Sequence, residues 1–155
     1  MKPTDAEVAK PFVDATKHVL TMMAQLDPKP GKPYVKKAGA AAGDVSAVVG
    51  LTGDRNGSIS ISFSKKCAIA VVKNMLGDDI ADIIQDAKDA VGEITNMISG
   101  QARAGLSQLG LNLSSSTPTV IFGDNHTVSH ITSGPVVAIP FSTEHGDFTL
   151  EFCFE

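Results

Sequence analysis

A chain of 155 residues, 43% of them apolar and 19% charged, is sized for one globular domain that can bury a core without disulfides or metal. Thirteen Lys and Arg against seventeen Asp and Glu leave a net charge of −4, the wrong sign for a general nucleic-acid binder. One Tyr, seven Phe and no Trp offer little for base-stacking platforms or sugar-binding clefts.

Met1-Lys2-Pro3-Thr4-Asp5 opens the chain without the apolar run of a secretory signal. Thr4-Asp5-Ala6-Glu7 reads as a capping box, with hydroxyl and carboxylate each satisfying a free backbone N–H. A helical stripe follows at Ala9, Phe12, Val13, Thr16, Val19, Leu20 and Met23. Pro11 interrupts it, removing a donor and favouring a bend. Asp27-Pro28 closes the segment, and a Pro-, Gly- and Lys-rich loop runs on to Gly43 with a short edge strand at Tyr34-Val35. The lysines of that loop read as a solvated face.

Val45, Ala47, Val49 and Leu51 alternate with small or polar residues, as do Ile59, Ile61 and Phe63. This is the period of a half-buried strand, and the turn Asp54-Arg55-Asn56-Gly57 joins the two into a hairpin. Gly50 and Gly53 match neither a dinucleotide loop nor a P-loop, and no Gly-Lys-Ser/Thr occurs. Ser64 caps a helix with Cys67, Ala68, Val71, Val72, Met75 and Leu76 inward, stopped by Gly77. A longer helix is predicted from near Asp78-Asp79 to about Leu109. Its apolar positions, Ile80, Ile83, Ile84, Ala87, Val91, Ile94, Ile98, Ala102, Leu106 and Leu109, step by three or four. Roughly 30 residues would span ~45 Å.

The remainder is β-rich: Asn112–Phe122, Val136–Thr143 and Asp147–Glu155 read as strands, with Glu144-His145-Gly146 turning the last pair. Phe148, Leu150, Phe152 and Phe154 share one face, and Thr149, Glu151, Cys153 and Glu155 the other. Pro140 lacks a ladder donor, so its strand is expected at an edge or a bulge. The order gives an α+β fold, a largely antiparallel sheet packed against long helices, in a single domain spanning residues 1–155.

Cys67 and Cys153 are too few for a disulfide framework and too isolated for zinc, and buried thiols are expected. Cys67 to Val72, the longest apolar stretch, falls well short of the ~20 residues that span a bilayer, which points to the cytoplasm. No Gly-x-Ser-x-Gly elbow or His-Glu-x-x-His helix occurs. His126 and His130 have a spacing that binds metal on a helix, but they lie in a Gly/Asn/Ser-rich connection and read as surface loop histidines. His18 and His145 have no evident partners.

The polar side of the long helix is the informative place. At about 100° per residue, Asp82, Asp86, Asp89, Glu93, Asn96 and Gly100 fall within ~80° of arc, opposite the Ile stripe. Glu93 and Asn96 are neighbours on one ridge. An ordinary solvated face is one reading. Against it, Asn gains nothing mid-helix and Gly100 costs ~1 kcal/mol there while clearing space for a partner.

The run Asp89-Ala90-Val91-Gly92-Glu93-Ile94-Thr95-Asn96-Met97-Ile98-Ser99-Gly100 resembles the Asp/Ser-x-x-x-Glu-x-x-Asn signature of the CheC/CheX/FliY family of chemotaxis phosphatases. Asp44-Val45-Ser46-Ala47-Val48-Val49-Gly50-Leu51-Thr52-Gly53, followed by Gly57-Ser58-Ile59, resembles that family's first hairpin, and the likeness covers nearly the whole chain. CheC-like members carry a second signature on the first helix. Here that ridge shows Asp14, His18 and Thr21, so the chain looks like the one-site CheX type, and the want of an additional switch domain in this sequence argues against a FliY-like role.

The resemblance implies a CheC-like domain and a two-component signalling hydrolase that acts on the aspartyl-phosphate of the response regulator CheY. An acyl phosphate is already reactive, so the task is to position water. By that likeness Asn96 orients the attacking water and Glu93 pairs with the regulator's active-site lysine, both being the catalytic pair. Asp89 and Gly100 join them in the partner-binding ridge. No cofactor is expected in this chain, because the regulator supplies Mg²⁺. A homodimer is also implied. A non-catalytic module that docks or sequesters the phosphorylated regulator would use the same ridge and stays open as the alternative.

Overall fold

The computed structural model describes residues 5–36, 41–77, 80, 82–127 and 136–154. The Thr4 cap, the Asp78-Asp79 start of the long helix, His130 and Glu155 lie outside them. Eleven elements follow in order: α1 (Asp5–Ala24), β1 (Lys29–Pro30), β2 (Tyr34–Lys36), β3 (Ala41–Gly53), β4 (Gly57–Phe63), α2 (Lys65–Leu76), α3 (Ile83–Gln108), β5 (Leu113–Ser115), β6 (Thr119–Thr127), β7 (Val136–Thr143) and β8 (Gly146–Phe154). The eight strands form one antiparallel sheet in the order β1-β7-β8-β4-β3-β5, with β2 also on β7 and β6 also on β3. The expected α+β architecture is met.

One face of the sheet carries the core. Register places Val45 opposite Phe63, Ala47 opposite Ile61 and Val49 opposite Ile59. Phe63, Ile61 and Ile59 in turn face Phe148, Leu150 and Phe152. The inward faces of all three helices join these residues in one buried cluster. Phe12 of α1 stacks on Phe152 at 5.0 Å between ring centroids, and Phe148 stacks on Phe141 at 4.9 Å.

The opposite face corrects the half-buried expectation. Ser46, Ser58, Ser60, Ser62 and Glu151 are almost fully buried, and β4 is buried along its whole length. The alternation therefore separates apolar from small polar side chains, not core from water. Ser46 and Ser62 satisfy each other across the ladder, Oγ to Oγ at 2.7 Å.

Caps and turns behave as their chemistry dictates. Ser64 Oγ accepts from the Cys67 N–H, and Gly77 takes a left-handed φ of 59° to end α2. Gln25, at φ 53° and two residues ahead of Asp27-Pro28, turns the chain after α1, so that the Leu26 N–H returns to the Leu20 carbonyl. Pro11 sits inside α1 without ending it.

Three other expectations change. The Asn112–Phe122 strand is two strands, both on β3: β5 pairs Leu51–Gly53 and β6 pairs Ala41–Val48. They are parted at Ser116–Pro118, where a ladder donor is missing. β6 also runs on through His126, whose backbone pairs with Gly43, so His126 belongs to a strand and not to a loop. Pro140 lies on an inner strand, yet where β7's outer partner is interrupted between β1 and β2. Its carbonyl accepts from Gly31 at 2.6 Å, and its donor-free nitrogen faces the same gap.

Candidate functional site

The site is built on α3. Its 26 residues extend about 39 Å, shorter than expected because Asp82 lies before the helix as its N-cap and not on its ridge. The Asp82 carboxylate accepts from the N–H groups of Ile84 and Gln85 at 3.1 and 3.3 Å, and Asp86 accepts from the Asp82 N–H at 3.2 Å. The early start would have placed Ile83 and Ile84 inward; both are exposed, as are Leu76 and Leu109 at the ends of α2 and α3.

From Ala87 onward the helix is anchored. Ala87, Ala90, Val91, Ile94, Ile98, Ala102 and Leu106 are buried. Thr95 is buried too, its hydroxyl donating to the Val91 carbonyl at 2.7 Å. Glu93 and Asn96, interleaved with these fixed residues, are exposed. One helical step of three separates them, about 4.5 Å along the axis and 60° around it, so an incoming group can meet a carboxylate and an amide together. Asp89 is exposed on the same ridge, and its carboxylate accepts from Gln85 Nε2 at 2.9 Å. Gly100 is half-buried one turn beyond Asn96.

Two close approaches, illegible in the pattern, set the height of this ridge. A Cβ on Gly92, adjacent to Glu93, would stand 3.2 Å from Val120 Cγ2 on β6. A Cβ on Gly105 would stand 3.0 Å from Pro11 Cβ. Absent side chains thus let α3 settle against β6 on one flank and α1 on the other, and Pro11 is tolerated where its ring fills the space over Gly105. No feature of the sequence short of the packing itself would have singled out either glycine.

The corresponding ridge of α1 is chemically different. Lys10 and Asp14 form an exposed ion pair at 2.8 Å. A groove of 540 Å³ opens between the two helices beside Asp14, His18, Gln101 and Gly105. Among the described residues, no three His, Cys, Asp or Glu side chains gather as a metal site, and no helix is long and apolar enough to cross a membrane. Cys67 and Cys153 are buried thiols, as expected, and neither is in a disulfide. Burial pushes the Cys67 thiol up to about 11.

The family model for the chemotaxis phosphatase CheX matches residues 45–142, from β3 through β7 and including the whole of α3. The chain belongs to the CheX family. Outside that segment the likeness continues: the CheY-P phosphatase CheX of Thermotoga maritima is 28% identical over 148 residues, 94% of each chain. The crystal structure of the chemotaxis protein CheX from Desulfovibrio desulfuricans is 68% identical, superposes with a TM-score of 0.92, and covers 96% of this chain and 99% of that one. The CheX of the CheX-CheY-BeF3-Mg²⁺ complex from Borrelia burgdorferi shares the fold at a TM-score of 0.79 and 24% identity, over 96% of this chain and 97% of that one.

Proposed function

We propose that this CheX-family protein is a chemotaxis phosphatase that hydrolyses the aspartyl-phosphate of a CheY-type response regulator in the cytoplasm, acting as one domain. The observation that carries the reading is the exposed Glu93–Asn96 pair, held between buried neighbours in the middle of α3. Asn96 enters beside the phosphoryl group and orients water with its side-chain amide. Glu93 pairs with a lysine at the regulator's active site and keeps the two proteins in register. Asp89 and Gly100 complete the docking ridge. The chain uses no cofactor of its own, and Mg²⁺ resides in the regulator, where it offsets charge on the phosphoryl oxygens. The names of the Thermotoga relative and of the Borrelia complex support CheY as the partner.

Decay of phosphorylated CheY, followed at several concentrations of each variant, tests this. Asn96→Ala removes a group that acts only when the phosphoryl centre is in place, so kcat falls roughly 10²-fold while KM changes little. Glu93→Ala removes a charge pair present in both ground and transition states, so complex formation weakens. Both side chains are exposed, and stability should move by no more than ~0.5 kcal/mol. Gln101→Ala, on the flank facing α1, is the control. A folded Asn96→Ala protein with normal turnover would sink the mechanism, whereas an unaltered protein that binds phosphorylated CheY without speeding its decay would leave a non-catalytic docking module.

The protein is further proposed to be a homodimer joined through sheet edges. The outermost strands support this: β2 exposes Tyr34 and Val35, and β6 exposes Ile121, an arrangement that favours covering or pairing. Light scattering at micromolar concentration should return the mass of two chains, and a monomer mass would refute it.

A further inference from the structure

Arg103 is a charged side chain of α3 that neither the core nor the docking pair explains. Asn96, Gly100 and Arg103 follow at i, i+4 and i+7, on one stripe of the helix. Helical side chains lean toward the N-terminus, so Arg103 reaches back toward Asn96. Its Nη2 lies 4.0 Å from where a Cβ on Gly100 would stand. Its Nε is buried and has no hydrogen-bond partner, and no carboxylate among the described residues pairs with it. A desolvated donor left unmet is uncommon in a folded protein and asks for a reason.

Charge supplies one. Asp89 and Glu93 make the ridge acidic on one side of Asn96, which disfavours an anion there; Arg103 is the cation that reaches back along the other side. A guanidinium is a planar fork that takes two phosphate oxygens at once, and Nε with Nη2 forms one of its two-pronged edges.

Resting on the phosphatase reading above, we propose that Arg103 contacts the phosphoryl group: in the complex its Nε–Nη2 edge turns outward and takes oxygens of the phosphoryl group seated beside the Asn96 amide. The donor unmet in the free protein then gains its partner on binding. Gly100 is the opening through which the fork and the phosphoryl group meet, since a longer side chain there would stand between them.

The experiment compares the unaltered protein with Arg103→Gln and Arg103→Lys in two measurements. One is turnover of phosphorylated CheY. The other is affinity for CheY with Mg²⁺, with and without beryllofluoride as the phosphoryl stand-in. Arg103→Gln should lower kcat roughly ten- to hundredfold and abolish most of the preference for the beryllofluoride form, leaving affinity for bare CheY unchanged. Arg103→Lys keeps the charge and the apolar stem but not the fork, and should fall between. It carries the test should Arg103→Gln fail to fold. Unchanged kcat and unchanged preference in both variants would overturn the inference. Equal loss of affinity for the two forms would also overturn it, making Arg103 a contact of the regulator's protein surface. The phosphatase reading fails separately. If the unaltered protein prefers the beryllofluoride form without hydrolysing CheY phosphate, and Arg103→Gln loses that preference, the contact stands and catalysis falls. An unaltered protein with neither property overturns both.

Discussion

Two glycines five residues apart on α3 make opposite demands, and the same substitution at each separates a site glycine from a packing glycine. In a helix interior, Gly→Ala gains about 1 kcal/mol from backbone propensity alone. At Gly100 the new methyl would meet only Arg103 Nη2, at 4.0 Å, an ordinary contact at the end of a flexible side chain. Gly100→Ala should therefore stabilise the fold by the full ~1 kcal/mol, raising Tm by about 2–4 °C for a domain of this size. At Gly105 the methyl would stand 3.0 Å from Pro11 Cβ and 3.5 Å from its Cγ. The proline ring is rigid and belongs to α1, so relief requires the two helices to part. Overpacking of this kind costs about 1–3 kcal/mol, which cancels the propensity gain or outweighs it by up to ~2 kcal/mol. Thermal and urea unfolding of the two variants in parallel should separate them by about 1–3 kcal/mol, with Gly100→Ala the more stable. On the proposed docking ridge, turnover of phosphorylated CheY should run the other way: it falls for Gly100→Ala, whose methyl would intrude on that ridge, and persists for Gly105→Ala while that protein remains folded. Equal stabilisation by both substitutions would refute the α1–α3 packing. A Gly100→Ala protein that is stabilised and fully active would refute the claim that this glycine is kept open for a partner.

Other expectations follow from charge and burial. The Cys67 thiol is raised from an ordinary 9.0 to about 11, chiefly by burial, with the Asp147 charge adding to it and the Thr143 hydrogen bond opposing it. The folded state thus holds this proton more tightly than the unfolded chain. The associated stability is complete below pH 9 and is lost as the pH climbs to about 11, a change of at most about 2–3 kcal/mol. The difference in urea midpoint between the unaltered protein and Cys67→Ala should shift over that window, and a constant difference would contradict the burial. The thiol should also resist alkylation at pH 8 until the protein unfolds. The carboxylates of the α3 ridge should hasten encounter with a basic partner surface, so association with CheY should slow as salt rises from low concentration toward 0.1 M, where the screening length is ~10 Å. Stopped-flow rates that ignore salt would remove steering from the account without touching the contacts proposed for Glu93 and Asn96.

What the chain settles by itself is whatever depends on neighbours in sequence. The stripe of α1, the Ser64 and Gly77 caps of α2, the hairpin over Asp54–Gly57 and the turn at Glu144–Gly146 are all where local chemistry puts them. The exposure of Glu93 and Asn96 was equally legible, because a helix with a buried stripe at Val91, Ile94 and Ile98 has no other direction in which to point them. Tertiary structure decided what two distant segments settle jointly. The serine face of β4 looked solvated because alternation reports only that two faces differ, and burial of both is a property of the assembled sheet. The start of α3 slipped to Asp82 because Ile80, Ile83 and Ile84 continue the helical period whether or not anything packs on them. Asn112–Phe122 broke in two because β3 offers one partner register to β5 and another to β6. Gly92 against Val120, Gly105 against Pro11 and the back-folded guanidinium of Arg103 are invisible to any periodicity. Each is a distance between atoms on elements or turns that only the folded chain brings together, and steric exclusion and desolvation act over such distances whatever the spacing along the sequence.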